Sequence, residues 1–390
     1  MAKRLHKILI YSNSPHSSTG YSVQISQLAK FLKADGYEVA IAANSGVIDQ
    51  ALHWNDIDIY PSRGNPFDFG LVHDYATHFN ADVILSLYDV WPFPEDVRKQ
   101  MGKPWIAWIP VDGSPPPGRL LNAAKQSEWR LAMSKFGQKE LEQAGIDSTY
   151  VPLGVDCDVF CPGSKEESRE RLGFPQDAFV VGVVAANKGW PCRKSWPELM
   201  MAFSHFNRRF PRNTLLYLHT TRVPYGAYEG ANIDRIVNRV GIPRDVVQVT
   251  AESDIGIGVP DETMVDLYRS FDVLLNPAMG EGFGVPIIEA QACGTPVITQ
   301  NCSAMTETTI IGHCLDPLQP FYVPQLDYWW HLASVPRIVE ALVAEYQAPS
   351  TRDERAVKQA VHKIRQRYHW PDLYERCWKP VLSQIEAELW

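Results

Sequence analysis

Short apolar runs alternate with amphipathic stretches along most of the chain. KILIY at 7–11 predicts a buried strand, SNSPHSSTG a polar turn, and YSVQISQLAKFLKADG an amphipathic helix that ends at Gly36. YEVAIAA then predicts the next strand. This order of strand, loop, helix and strand is the βαβ unit of a doubly wound sheet, in which ligands bind at the carboxyl ends of the strands.

Two later apolar runs in the first half of the chain end in an aspartate. DVILSLYD at 82–89 and WIAWIPVD at 105–112 each finish with an aspartate. Because the carboxyl ends of parallel strands meet at one edge of a sheet, we expect Asp89 and Asp112 to lie on the same rim.

A second series of strands begins at 179 with FVVGVVAA and continues through LLYLHT, VVQVT, DVLLNP and TPVIT. Between the two series, CPGSKEESRERLGFPQD loses apolar periodicity and gains charge, as a linker with a short helix would. Since a single core stops growing near about 250–300 residues, a chain of 390 residues predicts two domains. We place them at 1–165 and 166–370.

The last segment predicts a helix with one apolar stripe. The stripe consists of Leu373, Cys377, Val381, Ile385 and Leu389. Such a stripe must be buried, and we expect the tail at 371–390 to return to the first domain.

Composition narrows the class of protein. Hydrophobic residues make up 45% and charged residues 21%, with a formal net charge of −8, which is typical of a globular protein and weighs against nucleic-acid or anionic-membrane binding. The seven cysteines are scattered without paired zinc spacing, so we expect free, mostly buried thiols. No run approaches the about 20 apolar residues of a membrane span, and Ile8 to Ile10 is too short for a signal-peptide core. We therefore expect no stable membrane insertion and a cytoplasmic location.

The most informative stretch is NPAMGEGFGVPIIEAQACGTPVIT at 276–299, a buried strand followed by a glycine-rich turn that opens into a helix. The glycines let the backbone approach a ligand, and the helix start offers free N–H groups to phosphate. Glu281 and Glu289 are eight residues apart, so they can contact different parts of one extended ligand.

The string GEGFGVPIIEAQACGTPVI resembles the donor-site motif of family-four (glycogen-synthase-like) retaining glycosyltransferases, in which two glutamates are separated by seven residues. By that resemblance Glu281 would bind sugar hydroxyls and Glu289 the ribose hydroxyls. The remaining donor-binding positions that it implies are the turn and the helix start, namely Gly282, Phe283, Gly284 and Val285.

Other segments extend the resemblance over most of the chain. PLGVDCDVFCP is similar to the family's domain exit, DETMVDLYRSFDVLLNP to the stretch before the donor motif, and WPDLYERCW to its tail helix. The resemblance implies an α/β fold of the GT-B type, with two Rossmann-like doubly wound domains facing across a cleft and the C-terminal helix returning to the first domain.

The segment VVAANKGWPCRKSWPELMMAF departs from the usual family form, because Gly189 stands where an arginine is common. Lys194 falls on the motif lysine. We expect Lys194 and the neighbouring Arg193 to neutralise the donor diphosphate, with Asn187 assisting, since negative charge develops on the leaving group. The alternative is that both cations are a solvated helix start.

In the first domain, SSTGY at 17–21 matches the family's glycine loop, where Gly20 would let amides reach the donor phosphates, although an ordinary turn would look the same. Asp89 stands where many relatives carry a histidine. It could orient or deprotonate the acceptor hydroxyl, or only cap a turn, and Asp112 is a second candidate. Trp91 is a third acceptor-side candidate.

Trp91, Trp105 and Trp108 could form sugar platforms or belong to the core. The D-x-D strings at 56–58 and 156–158 resemble metal-bound diphosphate motifs, but the first is expected in a loop and the second lies in the domain exit. We therefore expect no metal and no cofactor.

The expected activity is transfer of a hexose from a UDP- or GDP-linked donor to an acceptor hydroxyl with retention of configuration. The acceptor stays open between a saccharide, a lipid, a protein, a small metabolite and, less favoured because of the charge, modified nucleic acid. The alternatives are a GT-B sugar-nucleotide epimerase or phosphorylase, or a nucleotide-sugar-binding module without catalysis.

Overall fold

The computed structural model describes residues 5–211, 213–224, 229–251 and 258–389 of the chain. Two compact units divide it: Met1–Gly154 with Leu326–Tyr328 and Trp370–Trp390, and Val155–Gln325 with Trp329–His369. The first unit thus ends eleven residues before the boundary at 165 that the sequence suggested. The basic start of the chain, at 1–4, lies outside the described residues.

The first unit contains an eight-stranded sheet. In chain order its strands are β1 Lys7–Ser12, β2 Glu38–Ala43, β3 Leu52–Trp54, β4 Ile57–Tyr60, β5 Val83–Leu87, β6 Trp105–Ile109, β7 Trp129–Ala132 and β8 Thr149–Tyr150. In space they follow the order β3-β4-β2-β1-β5-β6-β7-β8, and every pair is parallel except β3 with β4. The buried strands β1, β2, β5 and β6 confirm the predicted doubly wound pattern.

The hairpin of β3 and β4 corrects one expectation. The residues at 56–58 were expected in a loop, but Asp58 lies in β4, which pairs with β2. Asn55 and Asp56 both have positive φ, at 49° and 57°, which is the backbone of the tight turns that join antiparallel strands. The hairpin was missed because its strands are only three and four residues long and partly exposed.

The helices of the first unit flank this sheet. They are Gly20–Ala34, Phe69–His78, Val97–Met101, Gly118–Gln126, Lys135–Gln143, Trp370–Leu373 and Lys379–Leu389, with a π turn at Tyr374–Trp378.

Two tryptophans of β6 belong to the core. Trp105 and Trp108 are fully buried, and their indole N–H groups donate to Ser86 Oγ at 2.9 Å and to Val151 O at 2.7 Å. The core interpretation therefore holds for both.

The C-terminal tail packs within the first unit, as the predicted fold requires. Trp370 stacks on Phe31 at 6.1 Å between ring centroids, and Trp378 meets Trp108 edge to face at 4.8 Å. In the predicted stripe, Leu373, Val381 and Ile385 are buried, while Cys377 and Leu389 are partly buried.

The second unit contains a six-stranded sheet in the order β11-β10-β9-β12-β13-β14, parallel throughout, and a two-stranded sheet of β15 and β16. These strands are β9 Phe179–Val184, β10 Thr214–His219, β11 Val247–Val249, β12 Val273–Asn276, β13 Val297–Gln300, β14 Gly312–Leu315, β15 Gln319–Val323 and β16 Tyr328–Leu332. Among its described residues, the α-helices are Lys165–Leu172, Trp196–Arg209, Ile233–Val240, Asp261–Ser270, Val285–Ala292, Met305–Thr308, Val335–Gln347 and Glu354–Tyr368.

The short helix expected in the charged stretch is Lys165–Leu172, and it packs within the second unit instead of standing in a linker. Its Arg169 is buried and donates to Asp272 at 2.7 Å, and the same carboxylate accepts the N–H of Val180 in β9. Sequence periodicity missed this packing because the buried face of the helix is polar.

No helix within the described ranges is both long and apolar enough to cross a bilayer. All seven cysteines are free, and four of them are buried: Cys157, Cys192, Cys293 and Cys302.

Gly182 in β9 allows a test of how tightly the core of the second unit is packed. A Cβ at this position would come within 2.2 Å of the ring of Phe271, which is itself buried. We expect Gly182→Ala to lower the free energy of unfolding by about 1–3 kcal/mol through overpacking, measured by urea titration. The control Gly118→Ala places its methyl group where nothing lies within 4 Å, so it should unfold like the wild type. Equal stability of the two variants would contradict this packing.

Candidate active site

The glycine-rich turn after β12 contains backbone amides that have no hydrogen-bond acceptor among the described residues. Gly284 precedes the helix Val285–Ala292 with φ at 92°, and a Cβ there would lie 2.7 Å from Ile287 Cδ1, so the position requires glycine. Within the part of the chain that is described, the N–H groups of Gly282, Phe283 and Gly284 have no recorded acceptor. The turn therefore presents a row of donors at the start of a helix, an arrangement that suits phosphate or sugar oxygens.

The ring of Phe283 has a structural role. It is buried and meets Tyr368 edge to face at 5.4 Å. Any contact of Phe283 with a donor would therefore come from its backbone.

Glu281 is fixed by its own backbone. Its N–H donates to Ser303 Oγ at 2.8 Å, and its carbonyl oxygen accepts the N–H of Ala304 at 3.3 Å. Ser303 adopts a left-handed φ of 48°. No local sequence pattern predicts this support, because it comes from the segment after β13 through tertiary contact alone.

Two cations pair with the Glu281 carboxylate. Lys194 Nζ binds Oε1, and Arg193 Nη1 lies 2.9 Å from Oε2 and also donates to the carbonyl of Gly280. The Met279 N–H donates to the Arg193 carbonyl at 2.7 Å, which joins the two segments by their backbones. The side chains of Lys194 and Arg193 are 17% and 27% exposed, so a freely solvated helix start does not describe them.

The ion pairs decide the charge of this cluster, which consists of Arg193, Lys194 and Glu281. Burial alone would raise the pKa of Glu281, but the Lys194 ammonium and the Arg193 guanidinium outweigh it and lower this pKa to about 2. Glu281 is therefore ionised at neutral pH. Two positive charges and one negative charge leave the cluster with a net charge of +1.

Glu289 occupies a different environment from Glu281. Its carboxylate accepts the hydroxyl of Tyr268 at 2.6 Å. Burial raises the pKa of Glu289 to about 7, the Tyr268 hydroxyl opposes this rise and the charge of Asp261 adds to it. Among the described residues no recorded hydrogen bond or ion pair joins Glu289 to the cluster, so its expected contact with the ribose stays a prediction.

The side chain of Asn187 forms hydrogen bonds to backbone groups. Its Nδ2 donates to the carbonyls of Thr221 and Ala231 at 3.0 and 2.7 Å, and its Oδ1 accepts the Ala231 N–H at 2.8 Å. Both amide hydrogens are thus occupied in holding the chain after β10. The sequence did not indicate this role, and assistance to the diphosphate stays a prediction.

In the first unit, Gly20 begins the helix Gly20–Ala34 behind an N-cap. The cap Thr19 accepts the Ser22 N–H at 3.2 Å and the Asn13 side-chain amide at 2.7 Å. A Cβ at Gly20 would meet nothing within 4 Å, so the backbone is open to the approach of a ligand.

The acceptor-side candidates lie at the carboxyl ends of β5 and β6. Asp89 is half-buried and accepts the hydroxyl of Tyr21 at 3.0 Å. Burial raises the pKa of Tyr328, and the charges of Asp112 and Asp89 raise it further, so both aspartates lie near this tyrosine. Trp91 is half-buried and packs against the core of the unit.

Comparison with known proteins agrees with this description. Residues 226–320 match the family model described as glycosyl transferases group 1. D-inositol 3-phosphate glycosyltransferase 2 of Catenulispora acidiphila is 33% identical over 170 residues, which is 43% of this chain and 38% of that protein. The aligned part of the chain thus spans well under half of this relative's length.

Two solved structures share the fold over nearly the whole chain. Sucrose-phosphate synthase from Thermosynechococcus elongatus has a TM-score of 0.75 at 17% identity and covers 98% of this chain and 100% of its own. Anabaena Alr3699/HepE in complex with UDP and glucose has a TM-score of 0.69 at 16% identity and covers 97% and 100%. The chain therefore has the GT-B fold and is related to the group 1 glycosyltransferases, which confirms the predicted fold class and family resemblance.

The raised pKa of Glu289 predicts a pH-dependent stability. Between about pH 4.5 and 7 the folded protein retains a proton that the unfolded chain has lost, so stability falls as the pH rises through this window. A shift of this size corresponds to a loss on the order of 3 kcal/mol above pH 7. We expect Glu289→Gln to flatten the fall in the free energy of unfolding, measured by urea titration from pH 5 to pH 8. Parallel profiles for the variant and the wild type would contradict the assignment.

Proposed function

We propose that the protein is a retaining glycosyltransferase that transfers a hexose from a UDP- or GDP-linked donor to an acceptor hydroxyl without a metal ion. The observation that carries the proposal is the cluster of Arg193, Lys194 and Glu281 against the glycine-rich turn. A cation pair, an ionised carboxylate and a row of free amides are the groups that a sugar diphosphate requires.

The diphosphate would bind through Lys194 and Arg193. The cluster of Arg193, Lys194 and Glu281 has a net charge of +1, which favours the binding of an anion. The amides at the start of the helix Val285–Ala292 would add hydrogen bonds to it. Because the cations are already held by Glu281, little reorganisation is needed when negative charge develops on the leaving group.

The transferring sugar would be oriented by Glu281. An ionised carboxylate offers about four lone-pair positions, so it can accept sugar hydroxyls while it keeps its two ion pairs. The pKa of about 2 keeps this acceptor available throughout the neutral range.

In the proposed reaction the acceptor oxygen attacks the anomeric carbon from the face of the leaving group. The bond from that carbon to the diphosphate oxygen breaks, and its electron pair goes to the diphosphate. The acceptor's hydroxyl proton passes to a diphosphate oxygen, with Asp89 as the candidate that orients the hydroxyl. The products are a glycoside of the original configuration and the nucleoside diphosphate.

The comparisons support the class of reaction more than its substrates. The relative from Catenulispora is named for inositol 3-phosphate, and the Anabaena structure contains UDP and glucose. Those ligands belong to those proteins, and for this chain a nucleotide-sugar donor is part of the proposal.

Glu281→Gln tests the proposal at the cluster. The amide cannot pair with Lys194 and Arg193 and binds sugar hydroxyls more weakly, so we expect turnover of the donor to fall about 100- to 1000-fold while the unfolding midpoint shows a folded protein. The assay follows nucleoside diphosphate release from UDP- and GDP-hexoses in the presence of EDTA, because no metal is required.

The matched control is Glu167→Gln, on an exposed glutamate of the helix Lys165–Leu172, which should turn over like the wild type. Full activity of Glu281→Gln, or activity that EDTA abolishes and Mg²⁺ restores, would contradict the proposal. Epimerised donor would indicate the epimerase alternative, and phosphate-dependent release of sugar phosphate from a glucan would indicate a phosphorylase.

A further inference from the structure

The carboxyl ends of β2 and β5 bring recognition groups together in the first unit. Asn44 directly follows β2, and Tyr88 and Asp89 directly follow β5. Ligands bind at this edge in doubly wound sheets. The side chains at this edge of the sheet therefore indicate which kind of ligand the first unit binds.

Half-exposed aromatic rings surround Tyr88. Its ring centroid lies 6.1 Å from that of Tyr21 and 5.8 Å from that of Phe67. Phe67 is 36% exposed, and Tyr21 and Tyr88 are partly exposed. Because the Tyr21 hydroxyl donates to Asp89, this aromatic surface ends at a carboxylate.

A buried amide with unused hydrogen-bonding capacity lies in the same place. Asn44 is 3% exposed and interacts with the Tyr11 hydroxyl, and neither its Oδ1 nor its Nδ2 forms a hydrogen bond of good geometry to a described residue. Such groups are rare, because a buried polar atom that loses its hydrogen bonds to water without replacement destabilises the fold. Asn44 lies beside the Tyr11 hydroxyl, which donates to the carbonyl of Pro66, and the Tyr11 ring is 6.4 Å from Tyr88.

Two aspartates lie near this surface, and the Arg63 guanidinium lies near Tyr75. Asp89 borders it through Tyr21, and the charge of Asp68 acts on Tyr11. A phosphate or another anionic group on a ligand would meet like charges here, whereas hydroxyl groups would find hydrogen-bond acceptors.

We propose that Asn44, Phe67, Tyr88 and Asp89 form the acceptor site and that the acceptor is a neutral saccharide; this inference rests on the proposed function. The flat apolar faces of sugar rings stack on Phe67 and Tyr88, and their hydroxyls bond to Asp89 and to the unsatisfied amide of Asn44. The hydroxyl that attacks the donor loses its proton to the diphosphate in the transfer step described above.

The test is an activity assay in which the whole chain receives a panel of acceptors together with a nucleotide-hexose donor that it turns over. It compares neutral mono- and disaccharides with a polyol phosphate and a polyprenyl phosphate, and it follows both glycoside formation and acceptor-independent donor hydrolysis. We expect neutral saccharides to be glycosylated in preference to both phosphates.

Two variants locate the site. Phe67→Ala and Asn44→Ala should each raise the KM for the saccharide about 3- to 10-fold, the equivalent of one lost stacking or hydrogen-bond contact, and leave the donor KM and donor hydrolysis unchanged. Phe67→Tyr should retain the wild-type KM, because it keeps the aromatic face. The control Tyr322→Ala removes an exposed aromatic ring of β15 in the second unit and should leave every parameter unchanged.

Three outcomes would overturn the inference: preferential transfer to the polyol phosphate, preferential transfer to the polyprenyl phosphate, or unchanged saccharide KM values in both alanine variants. Each leaves the proposed function intact if donor hydrolysis continues. Absence of donor turnover under every condition would instead refute the glycosyltransferase proposal itself.

Discussion

The pairing of Glu281 with Lys194 and Arg193 is the interaction on which the second unit's site depends. It joins two segments that are 87 and 88 residues apart in the chain. A buried ion pair gains little net stability, but the loss of one partner leaves a charge without compensation and costs about 3–5 kcal/mol. Each of the three residues thus constrains the position of the other two in the protein without a ligand.

The two units use the same type of sheet for different chemistry. In the second unit, the turn after β12 carries amides without an acceptor among the described residues and a carboxylate that is ionised at neutral pH, and two cations from the segment before the helix Trp196–Arg209 pair with that carboxylate. These groups suit a diphosphate and its sugar. In the first unit, the strand ends carry aromatic rings, carboxylates and an unsatisfied amide, which suit a neutral ring with hydroxyl groups. The fold determines where ligands bind, and the loop residues determine which ligands they are.

Sequence reasoning found the long apolar strands and the glycine-rich turn because their patterns are local. It missed the hairpin of β3 and β4, whose strands are short and partly exposed. It predicted a short helix near 165 but not the packing of that helix in the second unit, because its buried contacts are polar. The motif made Glu281 and Lys194 candidates but did not predict their direct pairing or the support from Ser303, since such contacts arise only when distant segments meet. The hydrogen bonds of the Asn187 side chain to the segment after β10 could not be predicted for the same reason.

The central claim is that Lys194 and Arg193 hold a diphosphate while Glu281 keeps them in place. Calorimetric titration with UDP and GDP tests it most directly, with the wild type and with Lys194→Met, whose side chain keeps much of the length but lacks the charge. We predict that Lys194→Met binds the preferred nucleotide at least about tenfold more weakly, the equivalent of about 1.4 kcal/mol. Equal affinity of the two proteins, or no binding of either nucleotide by the wild type, would contradict the account.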